Sequence, residues 1–524
     1  MVKWRGLSPA FAALLLAASI VNAAEIQFEP RLSALPEDHV YDGGWEHFVG
    51  GGVAAFDCND DDLPDLAMAG GENSARVYIN ESEIGADIRF KTGPVLSENK
   101  SVTGLYPLDI DSDGILDLAV LRVGPNSLMR GLGGCQFEDE SVDWDFATSK
   151  LRWSTAFSAT WEGDNAFPTL AIGNYVDRDD PDGPFEACDP NEVHRPVDGQ
   201  FEKFIQLMPG YCALSILFSD WARTGETMLR LSNDRHYYVR GGFEEMWRLD
   251  PLAPLTEDDG WERVSLWGMG IASRDISGDG RPDVMLTSMG DQLLQFVDGP
   301  PNTPSLRNAP FALGTYAQRP FIGDDGRPST GWHAEFGDVN NDGRDDLFIT
   351  KGNVDQMPGN AMEDPNNLLI QNGDGTFTEV AHIAGVASMH RGRGGALVDL
   401  NADGLLDMVV VNRRAPAEIF ENVTADTGNW ASIDPQIEGP NTRAVGSWIE
   451  VKTPDGRIQA REVTVGGGHA GGQAVAHHFG LGEHETFDVR VEWPDGRISN
   501  WKTLSKGERY TVSPGDENTL TINW

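Results

Sequence analysis

The chain has 524 residues, of which 40% are apolar, and this excludes both a largely disordered chain and a polytopic membrane protein. Its 40 basic and 82 acidic residues give a net charge of −42, which a nucleic-acid backbone or an anionic membrane would repel. Cations, Ca²⁺ above all, are the natural counterions of such a surface. The alternative is that most of this charge serves only solubility in a saline habitat.

Residues 1–23 have the features of a secretory signal peptide. Lys3 and Arg5 form a short basic segment, an apolar run follows over residues 11–21, and small residues lead to Ala23. No later segment has enough continuous apolar residues to span a bilayer. We therefore expect cleavage after Ala23 and a secreted or periplasmic mature protein without a membrane span.

The four cysteines fit an exported protein, because disulfides persist in oxidising compartments. Three pairings are possible, and neighbourhood in the sequence favours Cys58–Cys135 and Cys188–Cys212. The alternative is four buried thiols. None of the cysteines lies in a CxxC motif, so zinc or thioredoxin-like chemistry is disfavoured.

A nine-residue acidic pattern, D-x-[D/N]-x-D-G-x-x-D with small departures, occurs five times, each time between two apolar runs that read as strands. Oxygens from positions 1, 3, 5 and 9, with the backbone carbonyl of position 7, match the hard ligands that Ca²⁺ prefers. The strand–loop–strand context excludes an EF-hand. The alternative is a set of solvated acidic turns. The predicted metal ligands are Asp57, Asn59, Asp61, Leu63, Asp65, Asp109, Asp111, Asp113, Ile115, Asp117, Asp275, Ser277, Asp279, Arg281, Asp283, Asp338, Asn340, Asp342, Arg344, Asp346, Asp399, Asn401, Asp403, Leu405 and Asp407.

The first aspartates of these motifs lie 52, 166, 63 and 61 residues apart, so the long gap holds about three periods. Two decayed repeats fit there, at residues 160–173 and 218–234, and both have lost the ligand pattern. Seven repeats of about 55 residues predict seven four-stranded sheets around an axis, which is a β-propeller. A β-solenoid with Ca²⁺ loops is the structural alternative, although its repeats are much shorter.

The sequence therefore predicts an all-β chain with a seven-bladed propeller over residues 24–425. An acidic, proline-rich stretch at residues 177–210 is predicted to be an insertion that caps one face of the propeller. The repeat spacing does not continue in residues 426–524. Strands of alternating apolar and polar residues flank two Pro-Asp-Gly turns there and predict a small β-sandwich-like domain. Three histidines in its glycine-rich segment, His469, His477 and His478, are interpreted as members of a structured loop, with a transition-metal site as the alternative.

These motifs resemble FG-GAP/VCBS-type repeats, the Ca²⁺-binding propeller blades of integrin α heads and fungal lectins. The tail, with GGGHAGGQ, HFGLG and VEWPDGR, resembles the ASPIC/UnbV domain. The combination is similar to bacterial homologues of the cartilage acidic protein family. The resemblance implies a secreted Ca²⁺-binding propeller with about five Ca²⁺ sites and implies little about activity. Ser277, where the repeats usually have Asp or Asn, departs from the pattern.

The residues that begin the inner strands are expected to surround the channel mouth on the face opposite the acidic loops. Aromatic, histidine and arginine side chains at one mouth form a candidate anion or sugar site in an acidic protein. The alternative is that they only pack and hydrogen-bond around the centre. The candidates are Trp45, His47, His236, Trp267, Trp332, His333, Arg391 and Arg393.

Two classes of function follow from these features. The first is a non-enzymatic binding or adhesion module for a glycan or an extracellular or periplasmic protein, with Ca²⁺ stabilising the blades. The second is a periplasmic enzyme or biosynthetic accessory protein that uses the His/Arg/Trp site at the mouth. The first is favoured, because the sequence has no nucleophile elbow, no HExxH motif and no phosphate loop. The oligomeric state does not follow from the sequence.

Overall fold

The computed structural model describes residues 26–97, 99–146, 152–234, 241–300, 303–324 and 326–523. The predicted signal peptide lies outside the described residues. Strands dominate the described residues. The helical segments among them are one short helix, α1 (Ala381–Ala384), and four single 3-10 turns at Trp45–His47, Glu257–Asp259, Phe311–Leu313 and Asp516–Asn518.

Most strands belong to antiparallel four-stranded units in which each strand pairs with the next one in the chain. The strands as far as the fourth unit are β1 (Phe28–Pro30), β2 (Val53–Phe56), β3 (Asp65–Met68), β4 (Arg76–Asn80), β5 (Phe90–Thr92), β6 (Val102–Leu108), β7 (Asp117–Gly124), β8 (Ser127–Gly131), β9 (Phe137–Asp139), β10 (Arg152–Thr160), β11 (Thr169–Asn174), β12 (Asn191–His194), β13 (Phe204–Leu207), β14 (Ala213–Ser219), β15 (Met228–Asn233), β16 (Glu245–Leu249) and β17 (Leu252–Pro254). The later propeller strands are β18 (Gly268–Arg274), β19 (Asp283–Ser288), β20 (Leu293–Asp298), β21 (Ser305–Asn308), β22 (Gly331–Gly337), β23 (Asp346–Lys351), β24 (Asn367–Gln371), β25 (Phe377–Glu379), β26 (Arg391–Val398), β27 (Asp407–Arg413) and β28 (Glu418–Asn422).

The units are arranged around an axis. The inner strands β2, β6, β10, β14, β18, β22 and β26 contact one another in chain order, and β26 returns to β2. Strand β1 pairs with β28, with Phe28 opposite Asn422, so the first described strand completes the last unit. Pairing of the described residues thus gives seven four-stranded units in a ring. The all-β class and the β-propeller architecture are confirmed, and the radial arrangement leaves only short outer strand edges.

The core lies between neighbouring units rather than in one central layer. Strand β2 is buried on both faces, since each of its residues, Val53 to Phe56, is buried. One cluster joins Phe56, Leu66 and Leu118 with Val409 of the last unit. This explains why the inner strands read as continuous apolar runs instead of alternating ones.

The predicted insertion at residues 177–210 is wrong in extent. It contains β12 and β13, the two outer strands of the third unit, which pair with β11 and with each other. Only the connection between β11 and β12 is a long loop. The proline-rich composition and the Asn-Glu-Val-His strand, which lacks an apolar alternation, concealed these strands from sequence reasoning.

The last hundred residues form two further antiparallel sheets, which confirms the predicted C-terminal β domain. One sheet has the order β31-β30-β35-β36 and the other β34-β29-β37-β38. Both Pro-Asp-Gly turns join or follow strands of the first sheet. The strands are β29 (Asn429–Pro435), β30 (Trp448–Lys452), β31 (Ile458–Glu462), β32 (Val465–Gly466), β33 (Gln473–Ala474), β34 (His477–Gly482), β35 (Thr486–Glu492), β36 (Lys502–Ser505), β37 (Arg509–Pro514) and β38 (Leu520–Asn523).

Two disulfides are present, and both match the favoured pairing. Cys58–Cys135 joins the acidic loop of the first unit to the turn between β8 and β9 of the second. Cys188–Cys212 joins the β11–β12 loop to the residue before β14. Each bond therefore links neighbouring units, and the alternative of four free thiols is excluded.

Candidate functional site

The five acidic loops connect the first and second strands of units one, two, five, six and seven, and they share one conformation. In each loop the position 1 carboxylate accepts hydrogen bonds from the backbone N–H groups of positions 5 and 6. In the second unit, for example, Asp109 accepts from Asp113 at 3.2 Å and from Gly114 at 2.9 Å. The same pair of contacts recurs in the other four loops. The motif spacing therefore specifies a local fold, as predicted from sequence.

The position 9 aspartates connect each loop to the rest of its unit. Asp117 accepts hydrogen bonds from the N–H of Ile110 at 2.6 Å and of Gly131 at 2.7 Å. The N–H of Ile110 belongs to the loop, and that of Gly131 belongs to the third strand. Equivalent contacts anchor the other four position 9 carboxylates, Asp65, Asp283, Asp346 and Asp407.

Burial dominates the electrostatics of these carboxylates. It raises the pKa of Asp117 to about 8 and the pKa of Asp65 to about 7, with neighbouring aspartates adding to both shifts. Burial likewise raises the pKa of Asp399 to about 7, and it raises the pKa of Asp346 and Asp407 well above the usual range. A bound cation would remove this penalty, because it restores favourable partners for the charged form.

The donor set fits a hard divalent cation. In the second loop, carboxylate oxygens of Asp109, Asp111 and Asp117 lie within 4.8 Å of one another. In the seventh, the buried side-chain oxygen of Asn401 at position 3 has no hydrogen-bond partner. Carboxylate and amide oxygens of this kind are typical Ca²⁺ ligands. The sulfurs beside Asp65 belong to the Cys58–Cys135 disulfide and are not thiolate ligands.

Arginines at the loops escaped sequence reasoning. The sequence pattern predicts only backbone-carbonyl ligands from Arg281 and Arg344 at position 7, yet their side chains pair with the position 5 carboxylates Asp279 and Asp342. Arg130 of the second unit lies 2.8 Å from both Asp111 and Asp113. An arginine two residues after an acidic ligand is the sequence signal that points to the first two contacts.

The loops of the third and fourth units still connect the first two strands of their unit, but they have lost the ligand pattern. Asp220 still accepts hydrogen bonds from Thr224 and Gly225, as a position 1 residue does. Ala222 and Met228 occupy positions 3 and 9. That these two loops do not bind metal remains a prediction.

The glycine-rich segment of the C-terminal domain, residues 465–474, runs through the centre of the ring, and we call it the central segment. Strand β32 pairs with β10 and β14, and β33 pairs with β2. Between them, the N–H of Gly468 donates to Ile271, and the carbonyl of Ala470 accepts from Leu105. The central segment therefore occupies the channel, and the rest of the C-terminal domain contacts the acidic loops, as at Thr442 and Asp109.

His469 anchors the central segment. Its Nδ1–H donates to the carbonyl of Met269 at 2.9 Å, and its Nε2 accepts from the N–H of Gly50 at 3.2 Å. Its backbone N–H donates to Nδ1 of His333 at 3.1 Å. These contacts select the neutral ring with the proton on Nδ1. His478 lies elsewhere, stacked on Trp430.

Three of the predicted mouth residues are buried and hydrogen-bonded around the channel. Trp332 is fully buried, donates its Nε1–H to Gly352, and lies 4.0 Å beneath the Arg393 guanidinium. Arg393 donates to the carbonyls of Phe48 and Val354. His333 contacts the central segment. These side chains pack and hydrogen-bond around the channel, which was the alternative interpretation.

Of the other described mouth candidates, Trp45, Trp267 and Arg391 keep some access to solvent, whereas His47 is buried. Trp45 is 39% exposed and stacks edge-on against Trp153 at 4.9 Å. Neither ring nitrogen of the buried His47 has a hydrogen-bond partner. Arg391 lies 3.6 Å from Asp355, and the ring nitrogen of Trp267 is buried. The remaining candidate, His236, lies outside the described residues.

Acidification is expected to loosen the central segment through His469. Burial, assisted by the charge of Arg393, lowers the pKa of His469 to about 3, whereas the unfolded side chain titrates near 6.5. The unfolded state therefore binds more protons between these values, and stability falls as pH falls below about 6.5. This corresponds to about 2 kcal/mol at pH 5. Denaturant unfolding of wild type and His469→Gln at pH 7 and pH 5 measures it.

Glutamine keeps a donor and an acceptor but does not titrate, so His469→Gln is expected to lose less stability on acidification than wild type. The exposed His382→Gln is the matched control and should follow the wild-type pH dependence. Identical pH dependence in all three proteins would contradict the prediction.

Two sequence families match this chain. The family described as ASPIC and UnbV matches residues 437–519, and the family described as an FG-GAP-like repeat matches residues 57–120 and 338–410. The latter ranges contain four of the five acidic loops. Cartilage acidic protein 1 of Homo sapiens is 29% identical over 137 residues, and that of Xenopus tropicalis is 28% identical over 138 residues.

The resemblance to the cartilage acidic protein family is confirmed. The two alignments cover 25% of this chain and 20% and 21% of the relatives, so the chain matches about a fifth of their length. A solved structure of BBS1N in complex with ARL6DN is similar with a TM-score of 0.43 and 10% identity, over 75% of this chain and 96% of that chain. None of the helices in the described part of the chain has the length and apolar character needed to cross a bilayer.

Proposed function

We propose that this chain is an exported calcium-binding propeller that serves as a binding module for a glycan or a protein partner. Ca²⁺ ions in the five acidic loops stabilise the units, and the rigid ring presents a recognition surface. A repeat propeller of this kind suits binding or adhesion, and no nucleic-acid partner is compatible with a net charge of −42.

One observation carries the calcium proposal. The five position 9 aspartates are fully buried, and no Lys or Arg of the described residues pairs with any of them. Backbone hydrogen bonds offset only part of the cost of a buried carboxylate that has no cationic partner, so five such groups at equivalent places would destabilise the fold. A cation held by the loop oxygens removes this cost at each site. Five backbone-anchored carboxylates in one geometry therefore support five cation sites.

We propose that the partner binds the face of the propeller opposite the acidic loops. The C-terminal domain contacts the acidic-loop side, where Thr442 hydrogen-bonds to Asp109 and Arg457 reaches the carbonyl of Asp342. The opposite face carries Trp45, whose ring is 39% exposed and can stack on a sugar or insert into a protein partner.

Metal content is expected to be about five Ca²⁺ per chain for the mature protein, counted by elemental analysis after equilibrium dialysis. At Ca²⁺ concentrations about tenfold above Kd, each site contributes about 1.4 kcal/mol to stability. Asp399→Asn should lower the count by one. Asp220→Asn is the matched control, since Asp220 has the same loop contacts in a unit without the other ligands, and it should leave the count unchanged.

A count of zero, or an equal loss in Asp399→Asn and Asp220→Asn, would overturn the calcium proposal. Partner binding is tested separately, on immobilised glycans and on extracellular proteins of the host. Trp45→Ala should abolish any binding that wild type shows, while Phe311→Ala, also an exposed aromatic, should not.

A further inference from the structure

A cavity lies between the acidic-loop side of the propeller and the C-terminal domain, and we call it the vestibule. Its volume is about 290 Å³, near the lower end of the range typical of small-molecule sites. Both domains line it, from the ends of the inner strands on one side and from β29, β31 and β34 on the other. Asp62 lines its edge, and the side chain of Asp62 is 82% exposed, so the vestibule opens to solvent there.

Four arginines line the vestibule, and their ion pairs involve three carboxylates, those of Asp434, Asp345 and Asp62, the last of which lies 2.9 Å from Arg509. Arg443 and Arg509 lie 3.7 and 3.5 Å from the same oxygen of Asp434. Arg461 and Arg274 lie 2.9 and 3.5 Å from the two oxygens of Asp345, which does not line the vestibule. The Nε–H groups of Arg461 and Arg509 have no hydrogen-bond partner.

The acidic residues of the vestibule, in contrast, already have donors. Glu335 accepts hydrogen bonds from Gln473 and from the N–H of Leu397. Glu462 accepts from Ser219 and from the N–H of Asp220. The loop carboxylates that line the edge, Asp57, Asp109 and Asp399, accept from their own loop amides. In the vestibule, the groups that lack partners are therefore N–H donors and not acceptors. This favours a ligand that is rich in hydrogen-bond acceptors.

His477 projects into the same space from β34. It lines the vestibule, and its ring has no hydrogen-bond partner in the described part of the protein. Burial, with Arg461, Arg274 and Arg443 nearby, lowers the pKa of His477 to about 3, so the ring is neutral and offers one donor and one acceptor. Apolar side chains, among them Phe336, form the remaining wall. A ligand with both an anionic group and an apolar part matches this lining.

We propose that the vestibule is a binding site for a small organic carboxylate. The carboxylate lies against Arg443 and Arg461, His477 supplies a further hydrogen bond, and the apolar part of the ligand packs against Phe336 and its neighbours. Paired N–H donors of arginine fit the two oxygens of a carboxylate. This site is separate from the proposed recognition surface around Trp45 and does not require that surface to bind a partner.

Binding of hexanoate and of benzoate to the mature protein tests the proposal, measured by calorimetry or ligand-observed NMR at 150 mM NaCl and saturating Ca²⁺. Hexanol and benzyl alcohol are the neutral counterparts. We expect saturable, one-to-one binding of at least one acid below 1 mM and at least tenfold weaker binding of its alcohol. Arg443→Gln should weaken acid binding at least tenfold, because it removes a charged donor from the site.

Arg443 has only a 3.7 Å ion pair to lose, so Arg443→Gln should fold normally, and its unfolding midpoint checks this. Arg497→Gln is the matched control, since Arg497 pairs with Asp495 on an exposed turn, and it should bind the acids as wild type does. Absence of saturable binding of both acids up to 10 mM would overturn the proposal. Equal binding of acid and alcohol, or unchanged binding by Arg443→Gln, would overturn it as well. Calcium counts on the same samples separate this failure from failure of the calcium proposal.

Discussion

Replacing Gly52 by alanine is expected to destabilise the protein by at least about 3 kcal/mol and to displace the central segment. A Cβ at Gly52 would lie 1.6 Å from the carbonyl oxygen of Ala470 and 2.3 Å from its carbonyl carbon. Neither atom can yield easily, because the same carbonyl accepts a hydrogen bond from Leu105, and the next residue, Gly471, is also packed closely, since a Cβ there would lie 2.1 Å from the carbonyl oxygen of Val53. Denaturant unfolding gives the stability change, and hydrogen exchange over residues 465–474 reports displacement of the segment.

Gly373→Ala is the matched control for this change. A Cβ at Gly373 meets nothing within 4 Å. Alanine there is expected to be neutral or to stabilise by up to about 1 kcal/mol, because it restricts the unfolded chain. If Gly52→Ala were as stable as Gly373→Ala, the central segment would not occupy the channel as described.

The buried pair between Lys351 and Asp364 is the second place where a single change should have a large effect. The Lys351 Nζ lies 3.1 Å from Asp364 and 3.0 Å from the side-chain oxygen of Asn367, and both charged side chains are 0% exposed. Lys351→Met leaves Asp364 as an uncompensated buried charge. The expected loss is about 3–5 kcal/mol, measured by denaturant or thermal unfolding.

Two further variants separate charge from packing at this pair. Adding Asp364→Asn to Lys351→Met removes the uncompensated charge, so the double variant should be more stable than Lys351→Met alone. Lys91→Met is the surface control, because Lys91 pairs with Glu81 where both side chains are largely exposed, and it should cost less than about 1 kcal/mol. If the double variant lost as much stability as Lys351→Met and Asp364→Asn lose when their separate losses are added, an uncompensated charge would not be the cause.

The local chemistry of the repeats could be predicted from sequence because it depends on residues close together in the chain. Positions 1, 5 and 6 of each acidic loop contact one another within six residues, so spacing alone determines the loop, as at Asp109 and Gly114. The second strand begins at the position 9 aspartate, as the apolar runs predict. Pairing of the nearest cysteines also holds, since each disulfide links neighbouring units.

The candidate site at the channel mouth was predicted less well, because burial is not a local property. The sequence places Trp332 and Arg393 at strand starts, but only the ring brings them together and covers them, with Arg393 reaching Phe48 from 345 residues away. The outer strands β12 and β13 were missed for a related reason. They are defined by pairing with β11 and with each other, while their own residues show no clear alternation.

The sequence by itself determined the repeat period, the acidic loops and the separate C-terminal β domain, all of which follow from short-range spacing. Only the tertiary structure decided that the glycine-rich segment enters the ring and that four arginines meet in the vestibule. Arg274 and Arg461 reach one aspartate from two domains, and Ala470 contacts Leu105 across more than three hundred residues. Contacts of that range depend on how the domains dock. Docking is set by the summed burial and hydrogen bonding of both surfaces, which no pattern within one segment encodes.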